Sequence, residues 1–408
     1  MALFDRFLAH RVKRGVLTII RPDGSRVALG EPDPDLSDVT VRFTDRAAEF
    51  AILSNPGLAA AELFMDGRLV IEAGDIRALV HLLKGNDLWE EGRASLSPIL
   101  PVRMAKGVLR RIDRINDARR SKRNVAHHYD LSDRLYDLFL DADRQYSCAY
   151  FTDAGAGLEQ AQADKKAHIA AKLALESGMR VLDIGCGWGG TALYLHAKTG
   201  AEVLGVTLSE EQLTVARGRA MEAGVADKVR FELTDYRHVT GTFDRIVSIG
   251  MFEHVGPVHY RTYLKKCRDL LTGDGVMLLH TIGRLGNPGV TDDFTAKYIF
   301  PGGYNPALSE IVRANEGLRF LITDIEVLRL HYALTIDIWY DRTVAARDAI
   351  VTLYDERFYR MWLFYLAGAG AAFRYGHYAN YQIQFARNRH ALPITRDYMF
   401  EEERRLRG

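Results

Sequence analysis

Residues 180–190, RVLDIGCGWGG, together with the helix-like TALYLHAKTG that follows them, decide the fold. An apolar run of strand character ends at Asp183 and passes through Gly185, Gly187 and Gly189 into a helical pattern. A glycine-rich turn takes its meaning from that strand–turn–helix context. Glycine lets the backbone pass close to a bound molecule where a side chain would collide with it. The order D-x-G-x-G differs from the dinucleotide fingerprint G-x-G-x-x-G, and Asp183 sets a carboxylate at the strand end, suited to the region around an amino-acid ammonium.

Around this turn, MRVLDIG, AEVLGVT, KVRFEL, FDRIVSI and GVMLLHT read as buried strands, with helices between most of them. Continuous apolar strands alternating with helices imply an α/β fold with a doubly wound, mostly parallel sheet. Glu253 then falls just after the fourth strand and His280 at the end of the fifth, at the carboxyl edge where such sheets bind ligands. Glu253 sits among apolar residues in GMFEHVG, and a carboxylate buried without a partner costs several kcal/mol, so a partner is expected. Farther on, FYRMWLFYLAGAGAAFRYGHYANYQIQFAR reads as an aromatic helix followed by a last strand.

Toward the N-terminus, residues 15–72 alternate short strands (GVLTIIRPDG, SDVTVRFTD, DGRLVIEAG) around a helix-like AAAELFM, a small α+β unit, followed by a helix in DIRALVHLLKG. Pro98 and Pro101 interrupt regular structure and mark a seam. From Arg103 to Arg123 nine basic residues face only Asp113 and Asp117, while Met104, Val108, Ile112 and Ile115 recur at helical spacing. That is a basic amphipathic helix, suited either to an anionic phospholipid surface or to packing between domains. The expected organisation is an α+β domain over 1–100, a linker helix over 101–123 and the α/β domain over 124–408.

Composition sets outer bounds. With 408 residues, 48% hydrophobic and 26% charged, and 54 basic residues against 53 acidic, the chain is neither disordered nor a nucleic-acid coat. Cys148, Cys186 and Cys267 are too few and too widely spaced for a disulfide framework, which fits a reducing cytoplasm. The segment MALFDRFLAHRVKRGVL lacks the apolar core of a signal peptide, and no later window is apolar enough to span a bilayer, so membrane contact is expected to be peripheral. His127, His128 and His254 come without metal-site spacing, and no metal is expected.

The turn resembles motif I of class I methyltransferases. NVAHHYDLSDRLYDLFLD, QYSCAYF, VLDIGCGWGG, GVTLSEEQ, IGMFEHVG, LLHTIG, FPGGY and HYALTIDIW, in that order from residue 124 to about 385, resemble the cyclopropane-fatty-acyl-phospholipid synthase family, which includes the mycolic acid cyclopropane synthases. The first hundred residues resemble the family's N-terminal lipid-binding domain. The resemblance implies S-adenosyl-L-methionine as co-substrate, with Tyr129, Tyr146 and Ser147 at its methionine end and Gly185, Cys186, Gly187, Thr207, Gln212, Tyr236 and Arg237 lining the rest. Where most class I enzymes hold the ribose with an acid, this chain has Thr207 and Gln212; helix capping from Ser209 is the alternative role of that stretch. A bicarbonate ion is implied among Cys148, Glu253, His280, Ile282 and Tyr332. Also implied are unsaturated phospholipid acyl chains as substrate, a homodimer, and residence in the cytoplasm at the inner face of the membrane.

The implied chemistry suits these residue types. An isolated alkene that takes a methyl becomes a carbocation, which aromatic faces stabilise without trapping, in a site that excludes water. Closing a cyclopropane ring then needs a positioned base to take a proton from the new methyl. Many relatives carry a cysteine where this chain has Ala369, so a mechanism needing that thiol is closed here. The rival outcomes are a methyl-branched or methylene fatty acid, methylation of nitrogen or oxygen on a small molecule, and a non-catalytic lipid carrier.

Overall fold

The computed structural model describes residues 3–92 and 132–407. Tyr129, Pro98, Pro101 and the basic helix expected over 101–123 lie outside the described residues. The chain divides into two compact units.

The first unit holds residues 3–92 with Thr291–Pro301 and Ala333–Tyr378. Strands β1 (Leu17–Ile20), β2 (Arg26–Leu29), β3 (Val39–Phe43) and β4 (Leu69–Ala73) form a sheet in the order β2-β1-β3-β4. β1 pairs antiparallel with β2 and parallel with β3, and β3 pairs antiparallel with β4. Leu17 and Ile19, with Val39, Val41 and Phe43, are buried at alternate positions, the period-two pattern of a sheet with one covered face. Asp75 caps the helix Ile76–Gly85 by accepting from Ala78 N–H at 2.7 Å. The 19-residue helix Glu356–Arg374, capped by Asp355, packs on it and on the helix Pro56–Met65. The stretch 333–378 is helical by its own periodicity. Only tertiary contact assigns it to this unit, and so contiguous reading of the chain does not.

The second unit is built on β5 (Arg180–Ile184), β6 (Glu202–Thr207), β7 (Val229–Leu233), β8 (Phe243–Ile249), β9 (Leu271–Arg284), β10 (Leu321–Leu328) and β11 (Tyr378–Ala386). Their order is β10-β11-β9-β8-β5-β6-β7. The neighbours from β7 to β9 pair in parallel, with Asp183 between Gly205 and Val247, and β10 pairs antiparallel with β11. This is the expected doubly wound, mostly parallel sheet. β10 escapes notice in the sequence because its residues alternate exposed and covered, with Asp324 and Glu326 among them. One face of the sheet packs Leu182, Ile246, Leu279 and Phe385 against Tyr260, Tyr263 and Leu264. The other packs Val181, Val203, Val247 and Leu278 against alanines and leucines of the covering helices.

One covering helix defies pattern reading. Leu158–Leu173, LEQAQADKKAHIAAKL, has no apolar stripe, yet Gln162, Asp164, Lys165, Lys166, His168 and Lys172 are all buried in it. Each finds a partner: Gln162 donates to the Gln145 and Ser147 carbonyls, Lys166 binds Asp143, and His168 bridges Glu326 and Glu403. Lys172 joins Glu326, and Asp164 accepts from Thr152 and Arg407.

Gly189 ends the turn after β5 at φ +84°, and a Cβ there would lie 2.7 Å from the Phe231 ring and 3.0 Å from Ala216. Both backbone strain and overpacking oppose a side chain at this position. Gly189→Ala is therefore expected to cost about 2–5 kcal/mol, read as a lower urea midpoint; an unchanged midpoint contradicts this packing.

Candidate active site

The carboxyl ends of β5, β6, β8 and β9 bring together the turn 185–189, the segment Thr207–Gln212, the loop 250–255 and residues 280–282. A cleft of two adjoining lobes, of about 760 and 530 Å³ with the open solvent at their mouths counted, runs along the first three. Gly185, Gly187, Gln212, Ile249 and Gly250 border both. Gly187, at φ +54°, has open space where a Cβ would stand. The turn thus offers bare backbone at the junction of the lobes, as a bound molecule spanning them requires.

The larger lobe is apolar on Ile184, Val206 and Met251 and is flanked by Tyr236, Arg237 and His254. Asp235 accepts from the Arg237 backbone at 2.9 Å and its side chain at 2.7 Å. That pair sets the guanidinium 4.9 Å from the Tyr236 ring centre. The Tyr236 hydroxyl is buried without a hydrogen-bond partner, and burial pushes its pKa up to about 12. Thr207 donates to Gln212 Oε1 at 3.1 Å, and Ser209 Oγ caps the next helix by accepting from Gln212 N–H at 3.2 Å. Of the two roles weighed for this stretch the cap is present, and it fixes the helix start that carries Gln212 to the cleft.

The smaller lobe is polar, lined by Asp143, Gln145, Tyr146, Ser147, Asp183 and Cys186 among others. Asp183 Oδ2 is buried with no partner, and burial pushes its carboxyl up to about 7 against the opposing pull of Lys165. The Tyr146 ring stands edge-on to Tyr136 at 5.4 Å, which in turn meets Trp188 at 5.1 Å.

Beside the cleft, between Met251 and His254, Glu253 is buried. Its Oε1 accepts from Ile282 N–H at 2.6 Å, and its own carbonyl accepts from Tyr304 N–H at 3.0 Å. Oε2 has no partner, and burial raises the carboxyl to about 7. Glu253 is thus poised between carboxylate and acid near neutral pH, as a proton carrier needs to be.

The remaining members of the expected anion site behave differently. Cys148 is fully buried, its thiol donating to the Ala149 carbonyl at 3.3 Å, and burial pushes its pKa far up; it fills space. Tyr332 is buried in the first turn of the helix His331–Ala345. His280 is held on both ring nitrogens, Nε2 by Asn380 at 3.0 Å and Nδ1 by Gln382 at 3.2 Å. Burial, with Lys165 and Lys172 adding to it, lowers the pKa of His280 to about 3. A neutral imidazole donates from one nitrogen only. One amide therefore turns its oxygen to the ring, which also satisfies one of the otherwise unpaired Asn380 Oδ1 and Gln382 Oε1. With both nitrogens engaged, His280 has no donor left for an anion, contrary to the role expected of it.

Sequence reading missed Lys165, Gln145 and Asp143 under the polar lobe, and Asn380 and Gln382 on β11. Three lysines and a histidine within an otherwise alanine-rich helix, AQADKKAHIAAKL, were the available signal. Among the described residues, no three His, Cys, Asp or Glu side chains gather in a way that could hold a metal ion, and no helix is long and apolar enough to cross a membrane.

Residues 116–383 match the family described as mycolic acid cyclopropane synthetase. Over 390 residues, 93% of this chain and 94% of the relative, the sequence is 38% identical to a probable fatty acid methyltransferase of Pseudomonas putida. Over 260 residues, 64% of this chain and 66% of the relative, it is 43% identical to the cyclopropane-fatty-acyl-phospholipid synthase of Escherichia coli strain K12. A solved mycolic acid cyclopropane synthase in complex with S-adenosylhomocysteine and CTAB covers 65% of this chain and 98% of its own length, at 34% identity and a TM-score of 0.62.

The buried acid has a signature in stability. Glu253 has its pKa raised in the fold from 4.5 to about 7, so its stabilising contribution is full below the unfolded value and is lost as pH rises through the folded one. Glu253→Gln escapes that loss. Its stability relative to wild type should rise by about 2.5 kcal/mol between about pH 5 and about pH 8, measured by thermal denaturation at both; a pH-independent difference contradicts the assignment.

Proposed function

The chain belongs to the mycolic acid cyclopropane synthetase family of S-adenosylmethionine-dependent methyltransferases, and from that premise we propose that it methylates the cis double bond of unsaturated phospholipid acyl chains and closes a cyclopropane ring. The observation that carries this reading is Glu253: a buried carboxyl with one free oxygen and a pKa near 7, beside the cofactor cleft.

S-adenosylmethionine supplies an electrophilic methyl on a sulfonium centre. The orphaned Asp183 Oδ2 suits the cofactor's ammonium and Ser147 its carboxylate. Thr207 and Gln212 suit the ribose, and Tyr236 with Arg237 the adenine. The alkene forms a bond to the methyl while the carbon–sulfur bond breaks, which leaves a cation on the neighbouring carbon. Aromatic faces and exclusion of water keep that cation from being trapped. A proton then leaves the new methyl, its electron pair closes the ring, and Glu253 Oε2 takes up the proton. Bicarbonate, the assisting base that family resemblance implies, suits the free Oε2 of Glu253, whose other oxygen the Ile282 N–H already holds, with Tyr332 the remaining member of the set and His280 a support behind it. The basic segment Arg103–Arg123 suits an anionic membrane surface, and a cytoplasmic homodimer remains the assembly proposed.

A second reading, transfer without ring closure, is favoured by one finding. The Pseudomonas putida relative, which matches over 93% of this chain, is described as a fatty acid methyltransferase, whereas the Escherichia coli synthase matches over 64%. The two readings share every residue up to the cation and part at the proton that leaves.

With the cofactor, bicarbonate and vesicles of a cis-monounsaturated phospholipid, the released fatty acids should gain one CH₂ by mass spectrometry. Glu253→Gln should cut that product about 100-fold or more while binding S-adenosylhomocysteine as wild type does. No mass gain despite cofactor binding would move the search to small-molecule acceptors.

A further inference from the structure

One buried cation of the second unit has no part in this chemistry. Lys165, on the helix Leu158–Leu173, is fully buried, and its Nζ donates to Gln145 Oε1 at 2.6 Å and to Ser147 Oγ at 2.9 Å. Gln145 and Ser147 line the polar lobe together with Asp183.

The direction of these bonds is fixed by chemistry. An ammonium has only protons to give, so Ser147 Oγ must accept from Lys165, and the serine proton is turned elsewhere. The Ser147 carbonyl is already taken, accepting from Gln162 at 3.0 Å. The Gln145 amide is oriented in the same way, with Oε1 on Lys165 and Nε2 donating to Asp143 Oδ2 at 3.0 Å. Asp143 is in turn clamped by Lys166 and Arg219. The buried ammonium thus fixes two acceptors beneath this lobe, Gln145 Oε1 and Ser147 Oγ.

We propose that Lys165 is a positioning residue for the amino-acid end of the cofactor: it orients the Ser147 hydroxyl as a donor into the polar lobe, toward the cofactor's carboxylate, and adds the positive potential that favours that carboxylate. Lys165 does not touch the ligand. The proposal rests on the reading of the cleft as the S-adenosylmethionine site.

Lys165 is faced by Lys166 on its own helix, by Asp141, Asp143 and Cys148 from the preceding segment, by Asp183 on β5 and by His280 on β9. Burial, with the repulsion of Lys166, outweighs the two aspartates and brings the lysine down to about 8. Above that pH the neutral amine can itself accept, Ser147 is free to turn, and the attraction for a carboxylate fades.

Two ligands separate this role from general damage. S-adenosylhomocysteine carries the amino-acid end, and 5′-methylthioadenosine has the same nucleoside and sulfur without it. By titration calorimetry near neutral pH, Lys165→Met should weaken S-adenosylhomocysteine about 10–100-fold and leave methylthioadenosine within about 2-fold. In the wild type, affinity for S-adenosylhomocysteine alone should fall as pH rises through about 8, and in Lys165→Met that dependence should be gone. Adding Ser147→Ala to Lys165→Met should cost little more.

Equal losses for both ligands, or an unchanged affinity for S-adenosylhomocysteine, overturn the proposal. Should Lys165→Met fail to fold, Ser147→Ala alone carries the test: a loss selective for S-adenosylhomocysteine with a flattened pH dependence supports it, and an intact dependence overturns it. Failure of the wild type to bind either ligand overturns the reading of the cleft as well.

Discussion

A lysine charge or a polar ring inside a protein persists only if hydrogen-bonding partners surround it, because stripping it of water costs several kcal/mol that only close partners offset. The helix Leu158–Leu173 carries Lys165, Lys166, His168 and Lys172 into the second unit, and much of that unit is arranged to meet their demand. Lys172 and His168 converge on Glu326 of β10, and His168 also holds Glu403 of the helix Asp397–Arg407. Burial pushes Glu326 up, yet the hydrogen bond from His168 and the charge of Lys172 outweigh it and hold the carboxyl down at about 2. Lys165 and Lys166 reach instead for the segment Asp141–Ser147 and hold it over the end of β5. The contacts that let this helix be buried also tie the edge strand and the last helix to the sheet, and they build the polar lobe.

From that lobe the division of labour follows. Bare glycine backbone joins a polar pocket, where Asp183 is short of a partner, to an apolar pocket flanked by Tyr236 and Arg237. One ligand with a charged amino-acid end and a flat aromatic end matches both. Glu253 stands beside the apolar lobe, with a carboxyl that burial keeps from committing to either protonation state near neutrality. His280 has a different task. Its neutral ring, held by Asn380 and Gln382, locks β11 to β9 next to Ile282, whose N–H holds Glu253.

How much of this was legible follows from where the determinants lie along the chain. β5, β6, β8 and β9 could be read because parallel strands buried on both faces leave nearly continuous apolar runs, β7 because Val229 and Phe231 alternate with exposed residues, and the Asp183–Gly189 turn because strand and helix flank it directly. Glu253 stood out as a charge in an apolar stretch. The buried helix did not, since amphipathic reading takes polar side chains as solvent-facing, and the partners that contradict this lie up to 243 residues away. The same distance hid the grip of Asn380 and Gln382 on His280, about which sequence offers only a histidine at a strand end. Nor does helical periodicity reveal that 333–378 belongs with the first unit.

Ring formation asks this site both to transfer a methyl to an alkene and to take a proton back from it. The most direct measurement supplies S-adenosylmethionine carrying a fully deuterated methyl, with unsaturated phospholipid vesicles, and records deuterium NMR of the product lipid. Ring closure should give a strongly shielded ring signal with two deuterons per added carbon. A methyl signal retaining all three, or a vinylic one, would contradict it and show the cation resolved by another route.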